Sequence, residues 1–158
     1  MKVFVYGTLK QGYCNHWFLR DAVEIVPAKV WGRIYDGWFP TAQVPEKSIL
    51  ANGTYNHLVD SQTQDSTVID TEFKKPKGNW GIIHGELATL RRPEDMESLD
   101  RLEGFRVDDD RCLYKRSLVK VMTEDGLETA WIYWSKRASE RGELLLSGVW
   151  ENESARRP

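Results

Sequence analysis

Two runs decide the fold: Cys112-Leu113-Tyr114-Lys115-Arg116-Ser117-Leu118-Val119-Lys120-Val121-Met122-Thr123 and Leu127-Glu128-Thr129-Ala130-Trp131-Ile132-Tyr133-Trp134. Both are rich in β-branched and aromatic residues, and Glu124-Asp125-Gly126 joins them. Two such runs around a short polar link ending in Gly predict a β-hairpin. Upstream, Arg91-Arg92-Pro93-Glu94-Asp95 has a helix-opening proline and acids where the helix dipole favours them. Met96, Leu99 and Leu102 follow at helical spacing, and Gly104 is placed to stop the helix. Asp108-Asp109-Asp110 then reads as a solvated turn, because the alternating ligand pattern of a calcium loop is missing.

Trp80 to Leu90 and Lys2 to Tyr6 read as strands. Ala28 to Phe39 reads as a strand curved by Gly32 and Gly37, with Pro40 and Pro45 closing it. Asn15 is placed to cap a short helix with Trp17, Phe18 and Ala22 turned to the core. Residues 46–79 form a polar excursion from a single domain spanning 1–158, with one expected strand at Thr67-Val68-Ile69 and breakers at Lys74-Lys75-Pro76-Lys77-Gly78. Leu144-Leu145-Leu146 and Trp150 are expected to fold back onto the rest. This order predicts a mostly antiparallel sheet curled into a small barrel with one main helix packed on it.

The 158 residues suit one domain with its own core. With 41% hydrophobic and 29% charged residues, the composition excludes a disordered chain. Twenty-two Lys+Arg against 24 Asp+Glu argue against nucleic acid as a partner, since phosphate neutralisation calls for a basic surface. No apolar run approaches a membrane span, and the start of the chain lacks a leader's apolar core, so a cytoplasmic location is expected. Cys14 and Cys112 lie far apart and are read as reduced thiols. No cofactor or metal is called for by any motif.

Two features could carry chemistry. Tyr6-Gly7-Thr8-Leu9 ends a strand, where successive outward N–H groups would form a nest for a carboxylate or an oxyanion; the plainer reading is a tight turn. Glu103 follows Leu99 by four residues and Met96 by seven, which puts a carboxylate on the apolar side of the helix at its edge. Such a group is costly unless paired or used, and desolvation suits it to proton transfer near neutral pH. The alternative is a Glu that snorkels to water or bonds local backbone. Tyr114 and Arg116 share one strand face and could line one pocket. His84, in an apolar strand, is expected to be a satisfied core residue.

Val5-Tyr6-Gly7-Thr8-Leu9-Lys10-Gln11-Gly12 resembles the opening of the gamma-glutamylcyclotransferase-like family. Further blocks follow in the family's order: Gly32-Arg33-Ile34-Tyr35-Asp36 with Pro40, Gly85-Glu86-Leu87, Leu99-Asp100-Arg101-Leu102-Glu103-Gly104, Tyr114-Lys115-Arg116, Ala130-Trp131-Ile132-Tyr133 and Ser147-Gly148-Val149-Trp150. Residues 46–79 depart from it, being longer and more polar than the family's link. The resemblance implies an α+β fold, a small mixed barrel, whose cavity releases 5-oxoproline from a small γ-glutamyl substrate. It implies Glu103 as the general acid/base and a substrate-holding role for the Gly7-Thr8-Leu9 loop; Tyr6, Tyr114 and Arg116 are further substrate-binding candidates. The alternative is a non-catalytic γ-glutamyl or carboxylate-binding module, or a protein-interaction module, on the same fold. The excursion is expected to set which amine leaves and to contribute little to ring closure. Oligomeric state is not legible.

Overall fold

The computed structural model describes residues 1–107, 109, 111 and 114–157. The strands are β1 (Lys2–Val5), β2 (Glu24–Asp36), β3 (Pro40–Gln43), β4 (Ala51–Asn52), β5 (Gly81–Thr89), β6 (Lys115–Thr123), β7 (Gly126–Trp134) and β8 (Glu143–Leu144). Two α-helices accompany them, α1 (His57–Ser66) and α2 (Met96–Glu103).

Five strands close a barrel in the order β2-β5-β1-β7-β6, and β6 returns to β2 through the pairs Ala28↔Thr123 and Lys29↔Met122. Every pairing is antiparallel except β1 against β7, so the barrel is mixed. The hairpin that opened the sequence reading is β6–β7, in register from Lys115↔Trp134 to Thr123↔Gly126. Strand alternation then separates two cores. Phe4 and Tyr6, Val119 and Val121, and Ala130, Ile132 and Trp134 fill the barrel. Val3 and Val5, Leu118, and Trp131 and Tyr133 point outward and pack beneath Met96 and Leu99 of α2. The helix is therefore held on the barrel wall by the opposite face of the strands that fill the interior.

The structure corrects the sequence reading at several points. β2 starts at Glu24, and Pro40 opens β3 where a strand end was expected. Thr67-Val68-Ile69 is not a strand; the excursion instead contains α1, whose N-terminus is capped by Asn56 Oδ1 accepting from the Val59 N–H at 3.1 Å. This second helix escaped notice because its buried face is polar. Asp60, Ser61 and Gln64 are buried while Leu58 and Val59 are exposed, so no apolar period marks it. Gln64 fastens it, accepting from the Lys2 N–H at 3.0 Å and donating to the Thr129 carbonyl at 2.7 Å.

Asn15 precedes a short 3-10 helix (His16–Leu19) without capping it, and Trp17 is exposed, with Arg20 lying over its ring. Leu19 is the residue buried there. His84 is exposed on β5, not a core residue. Leu144 and Leu146 are exposed, whereas Trp150 is buried against Tyr13. The Asp108–Asp110 turn and the first residues of the expected Cys112 strand fall partly outside the described residues; β6 is described from Lys115.

Candidate active site

At one end of the barrel a cavity of about 240 Å³ opens between the loop after β1, the loop before β3 and the last turn of α2. Tyr6, Gly7, Thr8, Leu9, Glu103 and Tyr114 all line it, so six of the seven residues singled out from sequence meet in one place. Tyr133, Phe39, Pro40, Asn15 and Leu102 complete much of the wall.

The helix delivers Glu103 by simple geometry. At about 100° per residue, Glu103 projects within roughly 20° of Met96, whereas Leu102 falls about 120° away. Met96 and Leu99 are fully buried, and Leu102, expected in the core, is 37% exposed at the cavity rim. Gly104 ends the helix in the left-handed region at φ 67°, donating its N–H to the Arg101 and Asp100 carbonyls. Glu103 thus sits nearer the middle of the buried stripe than its sequence position suggested. Burial raises its pKa from 4.5 to about 7. Among the described residues nothing donates a hydrogen bond to its carboxylate.

Three tyrosines surround that carboxylate, and each hydroxyl proton is committed elsewhere. Tyr6 donates to the Tyr133 carbonyl at 2.6 Å and accepts from the Ala42 N–H at 3.1 Å. Tyr114 donates to the Pro40 carbonyl at 2.6 Å. Tyr133 donates to Asp100 Oδ1 at 2.6 Å. Burial pushes all three phenols up, and the negative charge of Glu103 adds to each. They remain neutral donors over any working pH.

The loop opposite is pinned from outside. The Lys10 N–H donates to the Gly7 carbonyl at 3.0 Å, and Asn15 donates its backbone N–H to the Thr8 carbonyl and its side-chain amide to Thr8 Oγ1. Among the described residues the N–H groups of Gly7, Thr8 and Leu9 donate to no protein acceptor. Gly7 is obligatory here: a Cβ on it would lie 2.3 Å from Pro40 Cγ. Asn15 was singled out in the sequence as a cap; its actual partner, seven residues away, is a tertiary matter.

Arg116 is the candidate that does not line the cavity. It shares the outward strand face with Tyr114, but two residues of strand carry it about 7 Å further along. There it is buried, giving Nε and Nη2 to the two oxygens of Asp100 at 2.8 and 3.2 Å, Nη1 to Asp60 Oδ2 at 3.0 Å and Nη2 to the Thr54 carbonyl at 3.0 Å. No described residue of 46–79 lines the cavity either; the excursion reaches α2 through this cluster, with His57 Nε2 also 2.9 Å from Asp100 Oδ2. Among the described residues no group of His, Cys, Asp and Glu is arranged to hold a metal ion, and Cys14 is an exposed free thiol. No helix among them is long and apolar enough to cross a membrane.

A closed mixed five-stranded barrel, with a carboxylate brought by a packed helix opposite a strand-end loop, places the protein among the cyclotransferase-like α+β barrels. The chain belongs to the gamma-glutamyl cyclotransferase, AIG2-like family, whose pattern matches residues 3–72 and 73–152. Solved structures share the fold at low identity. YkqA from Bacillus subtilis is 20% identical with a TM-score of 0.59, over 94% of this chain and 39% of that one. This chain therefore spans well under half of YkqA. An AIG2-like protein from Mus musculus is 16% identical with a TM-score of 0.53, over 99% and 95% of the two chains. An uncharacterised protein from Pyrococcus horikoshii is 20% identical with a TM-score of 0.50, over 94% and 88%. No curated protein sequence matches the chain.

Proposed function

We propose that this protein is a gamma-glutamyl cyclotransferase that converts a γ-glutamyl compound into 5-oxoproline and a free amine. The observation that carries the reading is Glu103, a carboxylate whose pKa burial raises to about 7 and to which nothing among the described residues donates a hydrogen bond, in a cavity whose other wall offers backbone N–H groups that donate to no acceptor among those residues. The substrate's α-ammonium group must lose a proton before it can attack, and Glu103 is tuned to accept it near neutral pH. The amine then adds to the γ-carbonyl of its own molecule and closes a five-membered ring. The charge that develops on the carbonyl oxygen, or the substrate's α-carboxylate, is matched to the N–H groups of Gly7, Thr8 and Leu9. A well-placed oxyanion donor is worth about 3–4 kcal/mol. When the tetrahedral intermediate collapses, Glu103 gives its proton to the departing amine, takes up the second proton shed by the ring nitrogen as the lactam forms, and is regenerated when that proton passes to the freed amine or to water.

Because nucleophile and electrophile sit in one molecule, the protein's share is to hold a folded substrate and relay protons from the attacking nitrogen to the departing one. The tyrosines supply an amphipathic wall for the glutamyl chain. The test is a panel of γ-glutamyl amides differing only in the leaving amine, assayed for 5-oxoproline. Release from at least one substrate, abolished by Glu103→Gln, is the expected result. Binding of γ-glutamyl compounds without release from any of them would leave a carboxylate-binding module in its place.

A further inference from the structure

The loop after β1 turns back on itself, and its return takes up its own carbonyls. Those of Gly7, Thr8 and Leu9 accept from the Lys10 N–H, the Asn15 N–H and His16 Nδ1, each at 3.0 Å. In a trans peptide the C=O and the next N–H point in opposite directions, so tying the Gly7 and Thr8 carbonyls turns the Thr8 and Leu9 N–H groups the other way. Asn15 is carried back to Thr8 by its neighbours. Tyr13 is buried with its ring 5.2 Å from that of Trp150, and the Cys14 N–H donates to the Ala155 carbonyl at 3.0 Å.

The Asn15 side chain makes one further contact, its Nδ2 donating to Thr8 Oγ1 at 2.9 Å. A hydroxyl that accepts still has its own proton to give, and among the described residues the Thr8 hydroxyl donates to nothing. Thr8 and Asn15 are both half-buried, and both line the cavity. The loop therefore carries four protons with no acceptor among the described residues, three on the nitrogens of Gly7, Thr8 and Leu9 and one on the Thr8 oxygen. A carboxylate, with about four lone-pair sites on its two oxygens, matches that number better than a single oxyanion does. We propose that Asn15 is a positioning residue: it commits Thr8 Oγ1 as its acceptor, so that the hydroxyl proton joins the three N–H groups in taking the α-carboxylate of the γ-glutamyl unit.

The plainer use of this contact is a staple that keeps the loop in shape, and the two roles differ in what they depend on. A staple steadies the loop whether or not residue 8 has a hydroxyl, so losses at Asn15 and Thr8 would add. A positioning residue acts only through the hydroxyl, so removing the hydroxyl first leaves Asn15 nothing to direct. The bond from the Asn15 N–H to the Thr8 carbonyl is backbone and persists when the side chain is changed. The role also has a chemical signature. A hydrogen bond to a charged oxygen is roughly twice as strong as one to a neutral oxygen, so an added donor favours a carboxylate over a carboxamide of the same shape.

This inference rests on the reading of the cavity as a γ-glutamyl site, but its test does not require turnover. In the full chain carrying Glu103→Gln, calorimetry measures the affinity for γ-L-glutamyl methylamide and for the same compound with its α-carboxylate replaced by a carboxamide. With Thr8 and Asn15 in place, the carboxylate should bind about tenfold or more tightly. Thr8→Val should lower that preference about tenfold and Asn15→Ala about fivefold, and the two together no further than Thr8→Val alone. A preference unchanged in folded Asn15→Ala, or losses that add in the double variant, overturns the proposal. If Asn15→Ala does not fold, Asn15→Asp takes its place. Its carboxylate claims the Thr8 proton, so the fall in preference should shrink once Thr8→Val is present; an equal fall in both backgrounds overturns the proposal. No binding of either compound, or equal binding of both, overturns it as well. If the preferences hold while the unaltered protein releases 5-oxoproline from no γ-glutamyl compound, the α-carboxylate site stands and the enzymatic reading fails.

Discussion

Asp100 and Glu103 are three residues apart on one short helix, both turned towards the barrel, and the molecule treats them in opposite ways. Asp100 accepts from an arginine, a tyrosine and a histidine, as a carboxylate out of water must to be tolerated. Glu103 accepts from nothing in the protein among the described residues, and its pKa rises accordingly. The first pattern builds the fold, because it joins α1, α2, β6 and β7 at one point. The second works against stability, because a half-buried carboxylate with no donor among the described residues is a cost to the fold. Burial alone therefore does not distinguish a structural acid from a functional one. The presence or absence of donors does.

The comparison is broken most directly at Glu103. Glu103→Gln keeps the shape and removes the proton acceptor, and turnover should fall by about 10²–10⁴-fold, the range for general acid–base groups. Substrate affinity should be largely kept. A kcat within about tenfold of wild type would remove Glu103 from the principal role. If Glu103 is the base, its ionised form is the active one, and kcat/KM of the unaltered protein should rise with pH up to about 7 and level off above it.

At the paired acid, Arg116→Leu strands Asp60 and Asp100 together in a buried site, and the expected loss of stability is about 3–5 kcal/mol. Urea denaturation measures it. A loss below about 1 kcal/mol would mean that water reaches the cluster and that the pairing does not hold the helices.

A smaller effect, of opposite sign, is expected when stability is measured on Glu103→Gln. Raising a pKa from 4.5 to about 7 on folding means that the folded state binds the proton more tightly. That contribution is present in full below pH 4.5 and is lost by pH 7, at most about 3 kcal/mol. The variant lacks this decline, so its denaturation midpoint should gain on the wild type between pH 4.5 and 8. Parallel stability curves for the two proteins would contradict the desolvation of Glu103. The smallest effects are expected from EDTA and from alkylating the exposed Cys14, both of which should leave turnover essentially intact. Loss in EDTA restored by a divalent ion would require a different mechanism.

Much of this was legible from residues alone. Strand alternation, the hairpin link, the helix start at Pro93 and the stop at Gly104 are local signals, each carried by residues within one or two turns of each other. They placed β1, β5, α2 and the β6–β7 hairpin, and they put Glu103 on the wrong side of its helix for a solvated charge. The ordered blocks resembling a known family brought Gly7, Tyr114 and Glu103 to one cavity. What stayed hidden was held together by polar contacts distant in sequence. α1 buries Asp60, Ser61 and Gln64, so the apolar periodicity that reveals a helix is absent. Arg116 shares a face with Tyr114, but its destination depended on a carboxylate 56 residues away in a segment that reads as loop. Hydrophobic patterning is written along the chain because one face of an element meets one core. A hydrogen-bond partner is chosen by closeness in space, so only the tertiary structure decided which acid is paired and which has no donor among the described residues.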